Sequence, residues 1–354
     1  MVKVWTPRPY QNIALAHALN VDRCAIWAGP GMGKTVVAES VLDIQFLAGE
    51  TKPALVLAPK RVARKTWGDE VGKWSHLSDL HVVSITGTEA QRFDALHKLR
   101  TSYANVFTLN YENLPWLVDV LDDWPFGTII ADEAAKLRGF RVQQGGRRAH
   151  ALGRVAFHSK SFIELTGTPS PNGLSDLWGQ LYFIDKGLRL GRSFSAFEDR
   201  WFAWRRAKDA ANPGQTFMYK YIMPFAQEQI HEAIKDVCLS INPADYFDLE
   251  VPVVNNVYVD MAPKARQHYN EMQKDFFTQI EQHAIEAKTA AVKSQKLLQL
   301  ANGAVYLERD VTDDTSPRSK AWKLVHDEKI EAAESIVNEQ IGRASCRERV
   351  CLAV

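Results

Sequence analysis

Short apolar runs alternate with amphipathic stretches along the first half of this chain. The runs are Cys24–Ala28, Ala54–Ala58, His81–Ile85, Asn105–Leu109, Gly127–Ala131 and Ser161–Leu165. Between them lie stretches such as Lys34–Ala48, Arg61–Trp74 and Glu89–Leu99, whose apolar residues recur at helical spacing. Six strands separated by helices predict right-handed β-α-β units and a parallel sheet. The runs have no polar side, so helices are expected to cover both faces, as in a doubly wound α/β fold.

The pattern changes after residue 185. Residues 186–245 mix aromatic and basic positions, with Phe194, Phe197, Trp201, Phe202 and Trp204 beside Arg200, Arg205, Arg206 and Lys208. Packing of this insertion onto the sheet is the expected use of its aromatics, and base stacking is the alternative. An alternating run from Val251 to Val259 then leads into a helix beginning at Pro263. Tyr269, Met272, Phe276 and Ile280 share one face of it, a stripe read as core. A second apolar helix face follows around Leu297, Leu298 and Leu300. The expected organisation is a first domain over 1–185, an insertion or linker over 186–245, and the start of a second domain over 246–340.

Composition narrows the classes. The chain has 354 residues, 46% hydrophobic and 24% charged, which excludes a disordered or fibrous protein and suits two domains. Its 43 basic and 42 acidic residues leave a formal charge of +1, so nucleic acid could be held only by a local patch. Such patches are Lys60, Arg61, Arg64 and Lys65, then Lys136 to Arg148, then Arg200 to Lys208. No run of about 18 apolar residues occurs and no signal peptide opens the chain, so a cytoplasmic location is expected. Cys24, Cys238, Cys346 and Cys351 show no paired metal-ligand spacing.

Three motifs carry chemistry. Ala28-Gly29-Pro30-Gly31-Met32-Gly33-Lys34-Thr35 follows the first strand and opens the first helix. Glycines there let backbone N–H groups close around a phosphate chain at a helix N-terminus. Lys34 would reach the β- and γ-phosphates, and the Thr35 hydroxyl would hold Mg²⁺. Gly127-Thr128-Ile129-Ile130-Ala131-Asp132-Glu133 ends a strand in adjacent carboxylates. Asp132 there can take the Mg²⁺, and Glu133 can deprotonate the attacking water. Leu165-Thr166-Gly167-Thr168-Pro169 puts two hydroxyls at another strand end, where the γ-phosphate region can be sensed.

In this order and spacing the motifs resemble superfamily 2 helicases and translocases, specifically the Swi/Snf-type branch, from about Thr6 to Gln340. Arg8-Pro9-Tyr10-Gln11 is similar to that family's adenine-reading segment. Leu55–Lys60 with Trp67, Glu70 and Trp74 resembles its first DNA-contacting element, and Thr108–Glu112 the strand-end element before the carboxylates. Asp132–Arg138 resembles the family's DEAH box, and Leu165–Leu181, with Asn172 and Trp178, is the most branch-specific match. Val257–Met261 with Tyr269, and Gln295–Tyr306, resemble the opening of a second RecA-like lobe.

The resemblance implies a RecA-like P-loop domain with a parallel sheet, followed by an incomplete second RecA-like lobe. It implies a DNA-dependent ATPase that moves on duplex DNA, using ATP and Mg²⁺, in a bacterial or phage-infected cell. Lys34, Asp132 and Glu133 would be catalytic. Arg8, Gln11, Gly29, Gly31, Gly33, Lys34 and Thr35 would bind nucleotide, with Thr35 and Asp132 on the metal. Thr166 and Thr168 would couple nucleotide state to DNA grip, and Lys60, Arg61, Asn110 and Tyr111 would touch the nucleic acid. Ala135 stands where the family usually has His, which puts that coupling in question. The alternatives are a strand-separating DNA or RNA helicase, a restriction-type motor, and a nucleotide-dependent binding module with little turnover.

Ile341–Val350 follows no helical or strand period and resembles no part of the family, and residues 341–354 are set apart as a terminal segment. Ile341 to Val350 match the conceptual translation of a common short-read sequencing adapter, so an artefactual junction is expected here. Without Arg343, Arg347, Arg349 and Glu348 the chain stays near neutral. A chain cut there would lack the second lobe's arginine-bearing motifs and is expected to bind Mg-ATP weakly and turn it over slowly.

Overall fold

The computed structural model describes residues 2–101, 104–143, 146–208, 216–247, 256–281, 287–306, 322–341 and 352–353. The chain divides into two compact units, Met1–Leu249 and Glu250–Val354. The first opens with α1 (Pro9–Asn20), where proline at the first helical position presets φ. It continues through β1 (Arg23–Ala28), α2 (Lys34–Leu47), β2 (Ala54–Ala58), α3 (Trp67–Val71), β3 (Val82–Ser84), α4 (Glu89–Arg100) and β4 (Val106–Asn110). Then come α5 (Leu114–Val120), β5 (Thr128–Asp132), α6 (Arg147–Val155), β6 (Ser161–Thr166) and α7 (Ser175–Asp185). The unit closes with α8 (Phe194–Trp201), β7 (Phe202–Lys208), β8 (Thr216–Ile222), α9 (Ala226–Ile234) and β9 (Cys238–Ile241).

Seven strands form one parallel sheet in the order β3-β4-β2-β5-β6-β1-β9. The six runs read from the sequence are all strands, within a residue or two of their expected ends. β9 is the addition, and it lies in the stretch expected to be an insertion or linker. This edge strand is only four residues long and is interrupted by the exposed Ser240, so it does not read as a continuous apolar run. The stretch read as helical over Arg61–Trp74 is helical as far as Val71, with a π-helical segment at Val62–Thr66 running into the short α3. Gly68 and Gly72 lower its helix propensity, and Trp67 is drawn into the core.

Burial shows why the runs lack a polar side. Cys24, Ile26, Val56, Ile130, Ile163 and Leu165 pack with Tyr10 and Ala14 of α1 and Val37 and Val41 of α2. The alternate positions Ala25, Leu55, Leu57, Phe107, Ile129 and Phe162 pack with Leu117 of α5, Leu152 of α6 and Trp178 of α7. Period-two alternation therefore feeds two cores, one per face. Arg23 ties the sheet's other end down. Its guanidinium donates to the carbonyls of Ala156, Ser159, Phe183 and Ile184 and stacks on Phe157 and Phe162.

Gly179 sets how closely α7 approaches the turn after β5. A Cβ there would lie 2.4 Å from the Arg138 carbonyl oxygen and 2.9 Å from that of Leu137. Both obstacles are backbone and cannot swing away. Gly179→Ala is therefore expected to destabilise the first unit by about 1–3 kcal/mol, the usual range for overpacking, as measured by urea unfolding. An unchanged midpoint would show that the helix can shift freely.

Two carboxyls lie inside this unit. Glu164 of β6 and Glu39 of α2 are fully buried, and none of their four oxygens has a hydrogen-bond partner. Ala131 and Ala25 flank Glu164 across the sheet and leave it room. Burial pushes Glu39 up to about 9, with Glu70 raising it further and Lys73 opposing, and burial drives Glu164 well above the carboxylate range. Glu39 is therefore protonated at neutral pH, and burial shifts Glu164 in the same direction. Because the folded pKa of Glu39 exceeds its ordinary 4.5, the folded state holds an extra proton between the two values. Stability present below the lower value is lost as pH rises toward the upper one, by about 1.4 kcal/mol per unit. The gap in melting temperature between Glu39→Gln and the parent should accordingly widen from about pH 5 to about pH 8. A constant gap would place the Glu39 carboxyl in contact with water.

The second unit contains β10 (Val257–Tyr258), α10 (Pro263–Glu281), α11 (Ala287–Ala301), β11 (Ala304–Tyr306), β12 (Trp322–Leu324), α12 (Glu328–Ile341) and β13 (Leu352–Ala353). β11 and β12 pair antiparallel, and β10 and β13 pair parallel. Met261, Ala265 and Leu300 form its small core with Tyr269 and Met272, as the stripe on α10 requires. The side chains of Phe276 and Ile280, most of the Val251–Val259 run and all but three residues of 341–354 lie outside the described residues. No helix among the described residues is long and apolar enough to cross a membrane.

Candidate nucleotide site and nucleic-acid surface

A parallel sheet places every strand's carboxyl end at one edge, and register decides which residues meet there. Trp27 pairs with Thr166, Leu165 with Asp132, and Ala58 with Asn110. The glycine-rich loop leaves β1 at this edge and enters α2. Gly31 and Gly33 hold φ values of +78° and +74°, which side-chain-bearing residues rarely adopt. A Cβ on Gly31 would meet nothing within 4 Å, so the loop's hollow is open at that point. A Cβ on Gly33 would come 2.4 Å from the Gln11 amide nitrogen.

Gln11 is therefore part of the loop's own support. Its Nε2 donates to the Met32 carbonyl at 3.2 Å, and its Oε1 accepts from the Arg8 backbone N–H at 2.9 Å. The Arg8 guanidinium is exposed and lies 5.0 Å from the centre of the Phe247 ring. Tyr10 packs on Tyr246 and Phe247, and Pro243 lies against Gly29. These three partners come from beyond β9, and no local sequence signal marks them.

The loop lysine is turned inward. Lys34 Nζ donates to the carbonyls of Ala28 at 2.6 Å and Gly29 at 3.0 Å. Burial lowers its pKa, opposed by the charges of Glu133 and Asp132. Thr35, half-buried, follows it in the first turn of α2.

Asp132 is buried at the end of β5, and Trp67 Nε1 donates to its Oδ2 at 3.1 Å. Burial raises its pKa, with the indole bond and Lys34 pulling the other way and Glu133 adding to the rise. Glu133 is exposed and left-handed, at φ 58° and ψ 51°. A non-glycine residue held there stores about 1–2 kcal/mol of strain, a recurrent feature of functional positions. Thr166 is buried, and its Oγ1 accepts from the Thr168 N–H at 3.2 Å, while Thr168 itself is exposed. Gly167 brings this turn against the glycine-rich loop, since a Cβ there would lie 3.4 Å from the Ala28 oxygen and from Pro30 Cδ. Ala135 is buried in the turn after Glu133 and offers no polar link to Thr166.

The nucleic-acid candidates divide. Lys60 and Arg61 are exposed, and with Arg64 and Lys65 they line an open recess of about 610 Å³ at the end of β2. Asn110 and Tyr111 are buried instead. Asn110 donates to Glu112 and accepts from Asn113, and the Tyr111 hydroxyl donates to the Asp132 carbonyl at 2.9 Å. Both side chains are occupied in shaping the carboxylate strand's end and present no surface. Trp67, grouped by the sequence with DNA contacts, likewise faces inward onto Asp132.

The open hollow, an ammonium beside it and a carboxylate at the end of the next strand but one suit a polyphosphate carrying a hard divalent cation. The SNF2-related domain family matches residues 17–315 of the chain. The chain belongs to the SNF2-related family. Its Swi/Snf-type, superfamily 2 character is shared by its relatives. A protein named "Putative protein p41", from Acyrthosiphon pisum secondary endosymbiont phage 1, is 48% identical over 344 residues, covering 96% of this chain and 71% of that protein. The ISWI chromatin-remodeling complex ATPase ISW1 of Saccharomyces cerevisiae is 25% identical over 76% of this chain and 22% of its own length. Among solved structures, the Sulfolobus solfataricus SWI2/SNF2 ATPase core in complex with dsDNA shares the fold, with a TM-score of 0.51 and 21% identity. That match covers 96% of this chain and 65% of the archaeal one. The SNF2-related chain therefore has the α/β, RecA-like fold expected of an ATPase core.

The strain at Glu133 is testable by stability alone. Glu133→Gly is expected to be about 1 kcal/mol more stable than Glu133→Ala, because only alanine keeps the left-handed penalty. Equal unfolding free energies would mean that the turn relaxes away from positive φ.

Proposed function

We propose that this SNF2-related chain is a DNA-dependent ATPase that couples Mg-ATP hydrolysis to movement along duplex DNA, in the cytoplasm of a bacterial or phage-infected cell. The observation that carries the reading is the meeting of the glycine-rich loop, Asp132-Glu133 and the Thr166-Gly167-Thr168 turn at one edge of the sheet. In this reading the N–H groups at the start of α2 and the Lys34 ammonium hold the phosphates. Thr35 and Asp132 hold Mg²⁺, which neutralises charge on the phosphate oxygens. Glu133, exposed and next to Asp132, accepts the proton of the attacking water. Gln11, already hydrogen-bonded to the loop, reads the base, with Arg8 beside it. Trp67 and Tyr111 position Asp132 through its carboxylate and its carbonyl.

Coupling in this reading runs through backbone. With Ala135 unable to hydrogen-bond by its side chain, the contact of Gly167 with Ala28 and Pro30 is the link between the loop and the Thr166–Thr168 turn. Lys60, Arg61, Arg64 and Lys65 supply sequence-independent, salt-sensitive contacts to phosphates. The homology to SNF2-family ATPases and the archaeal core's description as a dsDNA complex support duplex DNA as the polymer.

The test is ATP turnover by the purified chain with duplex DNA, single-stranded DNA, RNA or no polymer. Duplex DNA is expected to stimulate most, and Lys34→Ala to cut turnover by about 10²-fold or more while the protein stays folded. Stimulation by single strands alone would favour a strand-tracking helicase. No stimulation by any polymer would leave a nucleotide-binding module in place of a translocase.

A further inference from the structure

β7 and β8 form a two-stranded antiparallel ribbon that pairs with no other described strand. The sequence suggested that its aromatics pack onto the sheet, and at the base they do. Trp201 is buried, Phe202 packs on Phe197, and Lys220 pairs with Glu198 while lying over Phe194 and Phe202. Farther out the ribbon leaves the protein. Trp204 is 64% exposed, and Arg205, Arg206, Met218 and Tyr219 are exposed beside it. An isolated ribbon of two strands is marginal in water, and exposed tryptophan adds to its cost.

Its charge is one-sided in sign. Arg205, Arg206, Lys208 and Lys220 lie on the two strands, and neither strand carries an acidic residue. This stands out in a chain whose total is only +1. Successive strand positions project to opposite faces, so Arg205 and Arg206 place a guanidinium on each side of the ribbon. Positive charge on both faces suits a slot with negative walls on either side better than it suits a flat acidic surface. The major groove of duplex DNA is such a slot, and its width admits a two-stranded ribbon.

We propose that the β7–β8 ribbon is a second DNA-contacting element, separate from the Lys60–Lys65 recess, which enters a groove of the duplex with Arg205 and Arg206 on opposing phosphate walls. Trp204 and Met218 then cover apolar sugar and base surface that water would otherwise wet. The inference rests on duplex DNA being the chain's polymer. It adds where the chain holds that polymer.

Fluorescence anisotropy with a labelled duplex, repeated across a salt series on the full chain, decides it without any need for turnover. Each phosphate contact contributes about 0.9 to the slope of log affinity against log salt. Arg205→Ala with Arg206→Ala should reduce the slope by about 1.8 and weaken binding severalfold, whereas lysine at both positions should keep the slope. Trp204→Ala should weaken binding with the slope unchanged. Lys60→Ala with Arg61→Ala serves as the comparison. If that pair weakens binding while the Arg205/Arg206 alanine pair matches the parent, the ribbon proposal is wrong and the DNA reading stands. Equal loss with lysine and alanine overturns the phosphate contact, since charge is then not what matters. A parent chain that binds no duplex removes the DNA reading itself.

Discussion

The parallel hydrogen-bond ladder running from β5 through β6 to β1 is the constraint on which the site depends. It fixes Leu165 beside Asp132 and Thr166 beside Trp27, and so brings three separate loops to one edge. Each loop then does what its own chemistry allows. Glycines at Gly31 and Gly33 take positive φ, Gly167 lets one turn press on another, and Glu133 is held in a strained turn next to a buried aspartate. A one-residue slip in that ladder would flip every side chain of a strand to the other face and exchange the two cores. Apolar burial on both faces forbids the slip, so precision at the edge comes from packing well away from it.

That division explains what could be read from the sequence. Six of the seven strands and the first two motifs were legible because they are local: apolar runs, a glycine pattern before a helix, carboxylates after a strand. What was not legible came from distance. Pro243 against Gly29 and Phe247 beneath Arg8 are set by β9, whose pattern is that of an edge. The family resemblance also leaves burial out of account. It implies nucleic-acid contacts for Asn110 and Tyr111 at a strand end, yet both are spent inside on Glu112, Asn113 and Asp132. Trp204 errs in the opposite direction, an aromatic residue that composition assigns to the core and the structure leaves in water.

The interior carries costs that stability alone would not select. Glu39 and Glu164 are buried acids whose oxygens have no hydrogen-bond partner, in a core where an apolar side chain would avoid that cost. Glu164 lies two residues before Thr166, on the strand that delivers the Thr-Gly-Thr turn, and Glu39 lies on the helix that delivers Lys34. Both elements are also well anchored, β6 between two strands and α2 against α1 and α3. Strong scaffolding is what allows such residues to persist.

The inward turn of Lys34 has a consequence for selectivity. Two of its three ammonium donors already go to neutral carbonyls, so an arriving anion finds one N–H open and must displace a carbonyl to gain another. A singly charged anion offers little in exchange, whereas a chain of phosphates offers several charges at once together with the N–H groups of the helix start. In the proposed reading the loop would therefore favour anions of higher charge, because one oxygen can use the open N–H but only a chain of phosphates can also repay the loss of the carbonyls.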